Sequence, residues 1–373
     1  MNQNIQIKEV LNSRDLMKFI KFPWSLYKND PYWVPPLISD VKNKLDPRKN
    51  PFHEHAEVQT FLAYENKKIV GRIAAIIDNN HNEFHKEKVV FFGFFDVIEN
   101  QTITNLLLNT VKNWGKTRGM TQLRGPANLS SNDEWGTLVK GFDSAPVVMM
   151  TYNPEFHIKL YENYGLKKLK DLVAYHLNIQ EPIPARIQKA GELIKKRYNV
   201  TIRPINMKKF DEEVALIQDL YNKAWYYNWG FVPMTPNEII HLAHELKPVA
   251  VPELILIAEV NGEPAGFSMT LPDYNQALKH ANGRLFPFGL FKLLYYSKKI
   301  TTARLLTLGI IEKFRKKGIE ALFYLESWKE GKRRGYIDGE MSWVLEDNAA
   351  MRNGIEKLGV ELYKTYRIYN QEI

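Results

Sequence analysis

Three consecutive cations and a glycine, Arg315-Lys316-Lys317-Gly318, stand between an apolar run, Leu305 to Ile311, and a helix-forming stretch. That order suits a phosphate or diphosphate. A glycine lets the backbone approach an anion with no Cβ in the way, and the first N–H groups of a helix have no partner within it. The helix terminus favours a nearby anion by about 0.3–1 kcal/mol, and cations add charge-assisted hydrogen bonds. A basic turn of this kind also occurs on solvated surfaces, so it gains meaning from the elements around it.

Those elements occur twice. Gly115-Lys116-Thr117-Arg118-Gly119 recurs as Gly331-Lys332-Arg333-Arg334-Gly335, and the same spacing sets Gly93 of VVFFGFFDV on Gly309. Upstream, Ala63 to Gly71 matches Ala258 to Gly266, each reading as strand, polar turn, strand. Downstream, Tyr161 to Leu166 matches Ile355 to Val360. The changes of spacing between these matches place one insertion within 125–152 of the first copy and another within 274–300 of the second. The copies have diverged. Where the second has its basic loop, the first has Glu99-Asn100-Gln101-Thr102, followed by a helix whose apolar stripe reads Ile103, Leu106, Leu107, Val111 and Trp114.

With strand, helix, hairpin, buried strand, loop, helix, strand, helix, strand in each copy, the chain resembles two tandem GNAT-type acyl-CoA N-acyltransferase domains. It is also similar to a bacterial group of such tandem proteins with no established reaction. The implied fold class is α+β, a three-layer α/β/α arrangement with mixed sheets. In this family a (Gln/Arg)-x-x-Gly-x-(Gly/Ala) loop cradles the coenzyme A diphosphate. Arg315, Lys316, Lys317, Gly318 and Ile319 follow that pattern, which breaks at Glu320. The later family motif resembles Asn348 through Val360. By the same resemblance the pantetheine arm runs along Leu308, Gly309 and Ile310, where the fourth strand parts from the fifth. The implied co-substrate is acetyl-CoA or a longer acyl-CoA, and the acceptor is a small-molecule or peptide amine. Related tandem proteins that use aminoacyl-tRNA or transfer lipid chains keep tRNA open as a less favoured partner, and a non-catalytic binding protein on a degenerate fold is a further alternative.

Acyl transfer to an amine needs a placed thioester, a base for the amine proton and donors for the oxyanion and leaving thiolate. On the expected fifth strand, Glu340, Ser342, Val344 and Glu346 alternate with Met341, Trp343 and Leu345, giving one largely polar face. Glu340 is the first candidate for base or amine recognition, with Ser342 beside it; the alternative role is a structural ion pair. The family's usual tyrosine acid falls on Ile355 here, which leaves Tyr363 or Tyr366 to replace it, while the first copy keeps Tyr161. Asn128, Asn132, Asp133 and Glu134 form a polar cluster in the first insertion, expected to line an acceptor pocket. The second insertion, Asn282 to Lys299, is apolar, aromatic and basic. A helix packed between the copies is the favoured arrangement, and a lid over an acyl chain or an edge resting on anionic membrane is the other.

The bulk properties set outer limits. A chain of 373 residues, 45% hydrophobic and 25% charged, is ample for two cores. The linear division is expected as 1–180, a linker helix at 181–199, and 200–373. No cysteine is present, which excludes disulfides, thiolate metal sites and cysteine nucleophiles. The net charge of +9 favours an anionic partner without choosing among coenzyme A, tRNA and acidic lipid. MNQNIQIKEV has no apolar signal region and no run approaches the roughly 20 residues of a membrane span, so a cytoplasmic location is expected. PFHEHAEV and His81-x-x-x-His85, the latter read as a polar turn, lack further ligands at metal-binding spacing, so no metal is expected.

Overall fold

The internal repeat is a repeat of structure. A computed structural model describes residues 5–373. In chain order the first copy runs β1 (Ile5–Glu9), α1 (Ser13–Leu26), α2 (Ile38–Lys44), β2 (Ala56–Glu65), β3 (Lys68–Asp78), α3 (Asn79–His85), β4 (Val89–Val97), α4 (Gln101–Lys116), β5 (Gln122–Gly125), β6 (Ala127–Asn128), β7 (Glu134–Trp135), β8 (Thr137–Lys140), α5 (Phe156–Tyr164) and β9 (Lys167–Asn178). Then come α6 (Ala185–Tyr198), β10 (Val200–Pro204), α7 (Phe210–Trp225), α8 (Pro236–Leu246), β11 (Ile255–Val260), β12 (Glu263–Pro272), α9 (Asn275–Ala281), α10 (Gly289–Ser297), β13 (Thr302–Ile310), α11 (Ile319–Arg333), β14 (Asp338–Leu345), α12 (Ala349–Glu356) and β15 (Glu361–Glu372). The matched hairpins share their register. Ala63 faces Gly71 and Ala258 faces Gly266, and in both the register shifts at the next residue.

Two compact units form. One holds the residues up to Leu172 with Leu278–Leu294 and Lys364–Ile373, and the other holds Val173–Ala277 with Tyr295–Tyr363. In the first, β1, β2, β3 and β4 pair antiparallel, β4 pairs parallel with β5, and the end of β15 pairs antiparallel with β5. In the second, β10 to β13 pair antiparallel, β13 pairs parallel with β14, and β9 lies on the other side of β14. The strand beside β5 therefore follows the second copy's last helix, and the strand beside β14 follows the first copy's. The boundaries expected at 180 and 200 follow the repeat, whereas the compact units follow the sheets.

Every residue of β4 is buried, as its run from Val89 to Phe95 requires of a strand covered on both faces. On one side lies α4, capped by Asn100, whose Oδ1 accepts the Ile103 N–H at 3.2 Å. Its buried face is Ile103, Thr104, Leu107, Leu108, Val111 and Gly115. Leu106, expected on this face, is partly exposed instead, because the helix turns Thr104 and Leu108 toward the sheet. A Cβ on Gly115 would lie 2.4 Å from the Val90 side chain, so glycine sets this close helix–sheet contact. His81 also departs from expectation. It is buried in α3, where its ring nitrogen meets Glu87 at 3.2 Å, because the helix turns it inward onto Phe91.

Candidate active site

The parallel ladder of the second unit is short. It runs from Thr302–Asp338 to Leu305–Met341, and β13 then continues alone on that side to Ile310. The two strands are therefore free to part beyond Leu305, the place where the pantetheine arm is expected. Strict alternation does not hold along β14: Val344 joins Met341 in one apolar cluster, although alternation would set it with Glu340 and Ser342.

At the last rungs sits a buried polar cluster. Arg304, opposite Glu340 in register, is 1% exposed and Glu340 is 2%. The Ser342 hydroxyl donates to Glu340 Oε1 and the Tyr363 hydroxyl donates to Glu340 Oε2. Arg304 Nε lies 3.1 Å from Ser342 Oγ and 3.9 Å from Glu340 Oε1, and its guanidinium stands 5.4 Å from the Trp343 ring. Buried charges persist only when paired and hydrogen-bonded, and this set meets that condition. A carboxylate oxygen has two acceptor sites, so each Glu340 oxygen retains one after its hydroxyl bond. Glu340, Ser342 and Tyr363 are thus brought together, with Arg304 as the member sequence reading missed. Its signal was a lone cation inside an apolar run, which demands a buried partner.

Glu340 also lines a small cavity of about 50 Å³ with Leu177, Leu305, Tyr324, Trp328 and Met341. The buried Thr270 hydroxyl, without a hydrogen-bond partner, belongs to the same lining. Ligand pockets are commonly about 300–1,000 Å³, so an acyl chain enters here only if β13 and β14 part further.

The basic loop is shaped by its own first residue. Arg315 donates from Nε to the Ile310 carbonyl at 3.2 Å and from Nη2 to the Ala224 carbonyl at 2.5 Å. Lys316 has φ 62° and is exposed, and Gly318 has φ 80° immediately before α11. Lys317 Nζ stands 4.8 Å from the Phe314 ring. Lys316, Lys317 and the α11 terminus are therefore the groups that could meet a diphosphate, while Arg315 holds the loop in place. Other members of the expected set pack. A Cβ on Gly309 would lie 1.9 Å from the Trp225 ring, Ile310 and Ile319 are core residues against which Leu308 packs, and Asn348 caps α12 by accepting the Met351 N–H at 3.1 Å.

In the first unit the equivalent seam is filled. A Cβ on Gly93 would lie 1.7 Å from the Ala127 carbonyl oxygen, and the Phe94 N–H donates to Asn128 Oδ1 at 2.7 Å. Asn128 Nδ2 donates to Glu134 at 2.8 Å across the β6–β7 pair, and Asp133 bonds Lys44 at 2.7 Å. Burial pushes the Asp133 carboxyl up and Lys44 opposes the shift. The Asn132 N–H bonds the Ser130 hydroxyl at 3.1 Å. The four residues expected to bind substrate thus lie on one short hairpin that plugs its own sheet. Beside it is a second buried network that sequence reading missed: Arg72 Nε donates to Asp96 at 2.7 Å and the Tyr27 hydroxyl to the same carboxylate at 2.6 Å.

No family model matches the chain. Over 374 residues, 98% of this chain and 95% of the relative, it is 36% identical to Protein YghO of Escherichia coli (strain K12). It is 35% identical over 381 residues, 100% of this chain and 98% of the relative, to the bacterial ceramide synthase of Caulobacter vibrioides (strain NA1000 / CB15N). The chain belongs to this bacterial family. Among solved structures it is similar to a tandem GNAT protein from the clavulanic acid biosynthesis pathway, with TM-score 0.57 and 12% identity over 99% of this chain and 98% of that one. A GCN5-related N-acetyltransferase from Sphaerobacter thermophilus gives TM-score 0.54 and 12% identity over 99% and 95%. The chain thus has the tandem GNAT fold, as the resemblance implied.

Proposed function

We propose that the protein is an acyl-CoA-dependent N-acyltransferase whose donor site lies in the second unit and whose acceptor is the amine of a long-chain, sphingoid-type base. The observation that carries the donor assignment is the contrast between the two seams. In the second unit the β13–β14 ladder stops at Leu305–Met341 beside a glycine-led helix terminus with exposed Lys316, while Ala127 and Asn128 occupy the matching place in the first. The acceptor class rests on the 35% identical relative named a ceramide synthase, since a ceramide is the amide of such a base.

In the reaction the amine nitrogen attacks the thioester carbonyl, the C–S bond breaks, the amine loses a proton and the thiolate gains one. Glu340 accepts the amine proton, directly or through the hydroxyl of Ser342 or Tyr363, and Arg304 holds the carboxylate in place. Lys316 and Lys317 meet the diphosphate. Incubating the protein with palmitoyl-CoA and sphinganine should release free thiol in step with amide formation, read by thiol reagent and mass spectrometry. Acyl-CoA binding with no amide from any amine would replace catalysis by ligand binding; absence of acyl-CoA binding would overturn the donor site itself.

A further inference from the structure

The second insertion presents three phenylalanines to solvent within six residues: Phe286 is 84% exposed, Phe288 69% and Phe291 70%. Leu290 joins them on the outer side of α10, while Gly289 is buried and Leu293 half-buried on the inner side. The root of the insertion, by contrast, is firmly built. Trp24 Nε1 donates to Asn282 Oδ1 at 3.0 Å, the Ile38 N–H donates to the Gly283 carbonyl at 3.0 Å, and a Cβ on Gly283 would lie 2.3 Å from the Trp24 ring. At the tip, a Cβ on Gly289 would lie 1.7 Å from the Arg284 carbonyl oxygen, so the chain turns tightly there. A rigid root with an apolar tip is a prepared surface, since scattered single hydrophobic residues are ordinary but clustered ones mark interaction sites.

The charge around the tip selects its partner. Between Asp273 and Glu312 the chain has no acidic residue, and Arg284, Lys292, Lys298 and Lys299 are exposed in that stretch. Aromatic side chains beside an acid-free set of cations match the interfacial region of an anionic bilayer, where rings enter the headgroup boundary and lysines meet the phosphates. We infer that the Phe286–Phe291 projection docks the protein on anionic lipid membranes. The inference stands on exposure and charge and is independent of the acyl-transfer reading.

Sedimentation of the full-length protein with phosphatidylcholine vesicles, with and without phosphatidylglycerol, tests it without an activity assay. Binding should require the anionic lipid and weaken as salt rises. Phe288→Ser combined with Phe291→Ser should lower partitioning at least about tenfold, because each buried methylene contributes to interfacial affinity. Lys292→Glu combined with Lys298→Glu should lower it by about fivefold or more per cation and remove the preference for phosphatidylglycerol. The variants' melting temperatures should stay near that of the parent, since the residues are exposed. Vesicle binding that is absent, or unchanged in both variants, overturns the inference. A parent dimer that the phenylalanine variant converts to monomer, with no vesicle binding by either, assigns the face to a second copy instead.

Discussion

In the proposed reaction the bonds that hold Glu340 also place it for proton transfer, and one substitution separates the two roles. Glu340→Gln keeps the shape and removes the basic lone pair. If it receives the amine proton, kcat should fall by about 10²–10⁴-fold with acyl-CoA affinity nearly unchanged. The same change leaves the Arg304 guanidinium with a weaker partner, so chemical denaturation should show some loss of stability. Turnover at the parent rate together with that loss would make Glu340 a structural residue only. A second residue reports on pH. His157 is fully buried against Phe95 and Tyr161, and burial lowers its pKa to about 4. Its folded pKa lies below the unfolded value of 6.5, so the unfolded state binds the proton more readily. Stability is therefore retained above about pH 6.5 and declines as pH falls toward 4, by about 1.4 kcal/mol per pH unit within that window. Denaturation of His157→Phe across this range should lack that part of the slope.

At the scale of elements, the strand-loop-helix of the second copy is held by Arg315 and opened by Gly318. Gly318→Ala introduces a side chain at φ 80° and 2.8 Å from Ile194 Cδ1. A non-glycine residue in this region costs about 1–2 kcal/mol, which the loop relieves by shifting. Acyl-CoA affinity should fall at least tenfold by calorimetry, with the far-ultraviolet dichroism of the fold retained; an unchanged dissociation constant would remove the loop from the donor site. Thr102→Ala, its counterpart at the head of α4, should leave that constant alone. The insertion in the first copy behaves as an element too. Its short hairpin places Asn128 on the Phe94 N–H and so closes the seam of its own sheet with a side-chain amide.

At the scale of the molecule, the exchange of last strands decides what can fold alone. Residues 1–180 lack Lys364–Ile373, and with them the pairing of Tyr369 with Gly125, the buried Tyr369 ring against Tyr161, and the Arg367 bonds to Asp171 at 2.8 and 3.0 Å. Losing these residues of β15 leaves β5 unpaired on one side and opens the core. The fragment should be soluble only poorly and lack the dispersed amide spectrum of a folded domain, whereas co-expression with 181–373 should restore it. A well-dispersed spectrum from 1–180 alone would show that the first copy is complete without the exchange.

What the sequence by itself determined is local or periodic. The duplicated hairpins, the buried strand β4, the helix after each central strand and the unequal loops follow from apolar runs, turn residues and glycine spacing, which neighbours in the chain specify, whereas β13, expected to be covered on both faces, is only half-buried from Leu305 to Leu308. Glu340 and Ser342 were legible as neighbours on one face of a strand, while the missing hydroxyl was left between Tyr363 and Tyr366, and the tertiary structure sets Tyr363 on Glu340. Arg304 as their partner, Trp225 over Gly309, Arg315 turned onto carbonyls, and Ala127 filling the first seam were decided only in the tertiary structure. Each depends on a contact between residues far apart in the chain, where geometry chooses one partner among many of the same chemistry. The exchanged strands have the same origin: a β-strand's sequence fixes its pleat and its apolar face, while the sheet edge it completes depends on which edges the assembled fold leaves open.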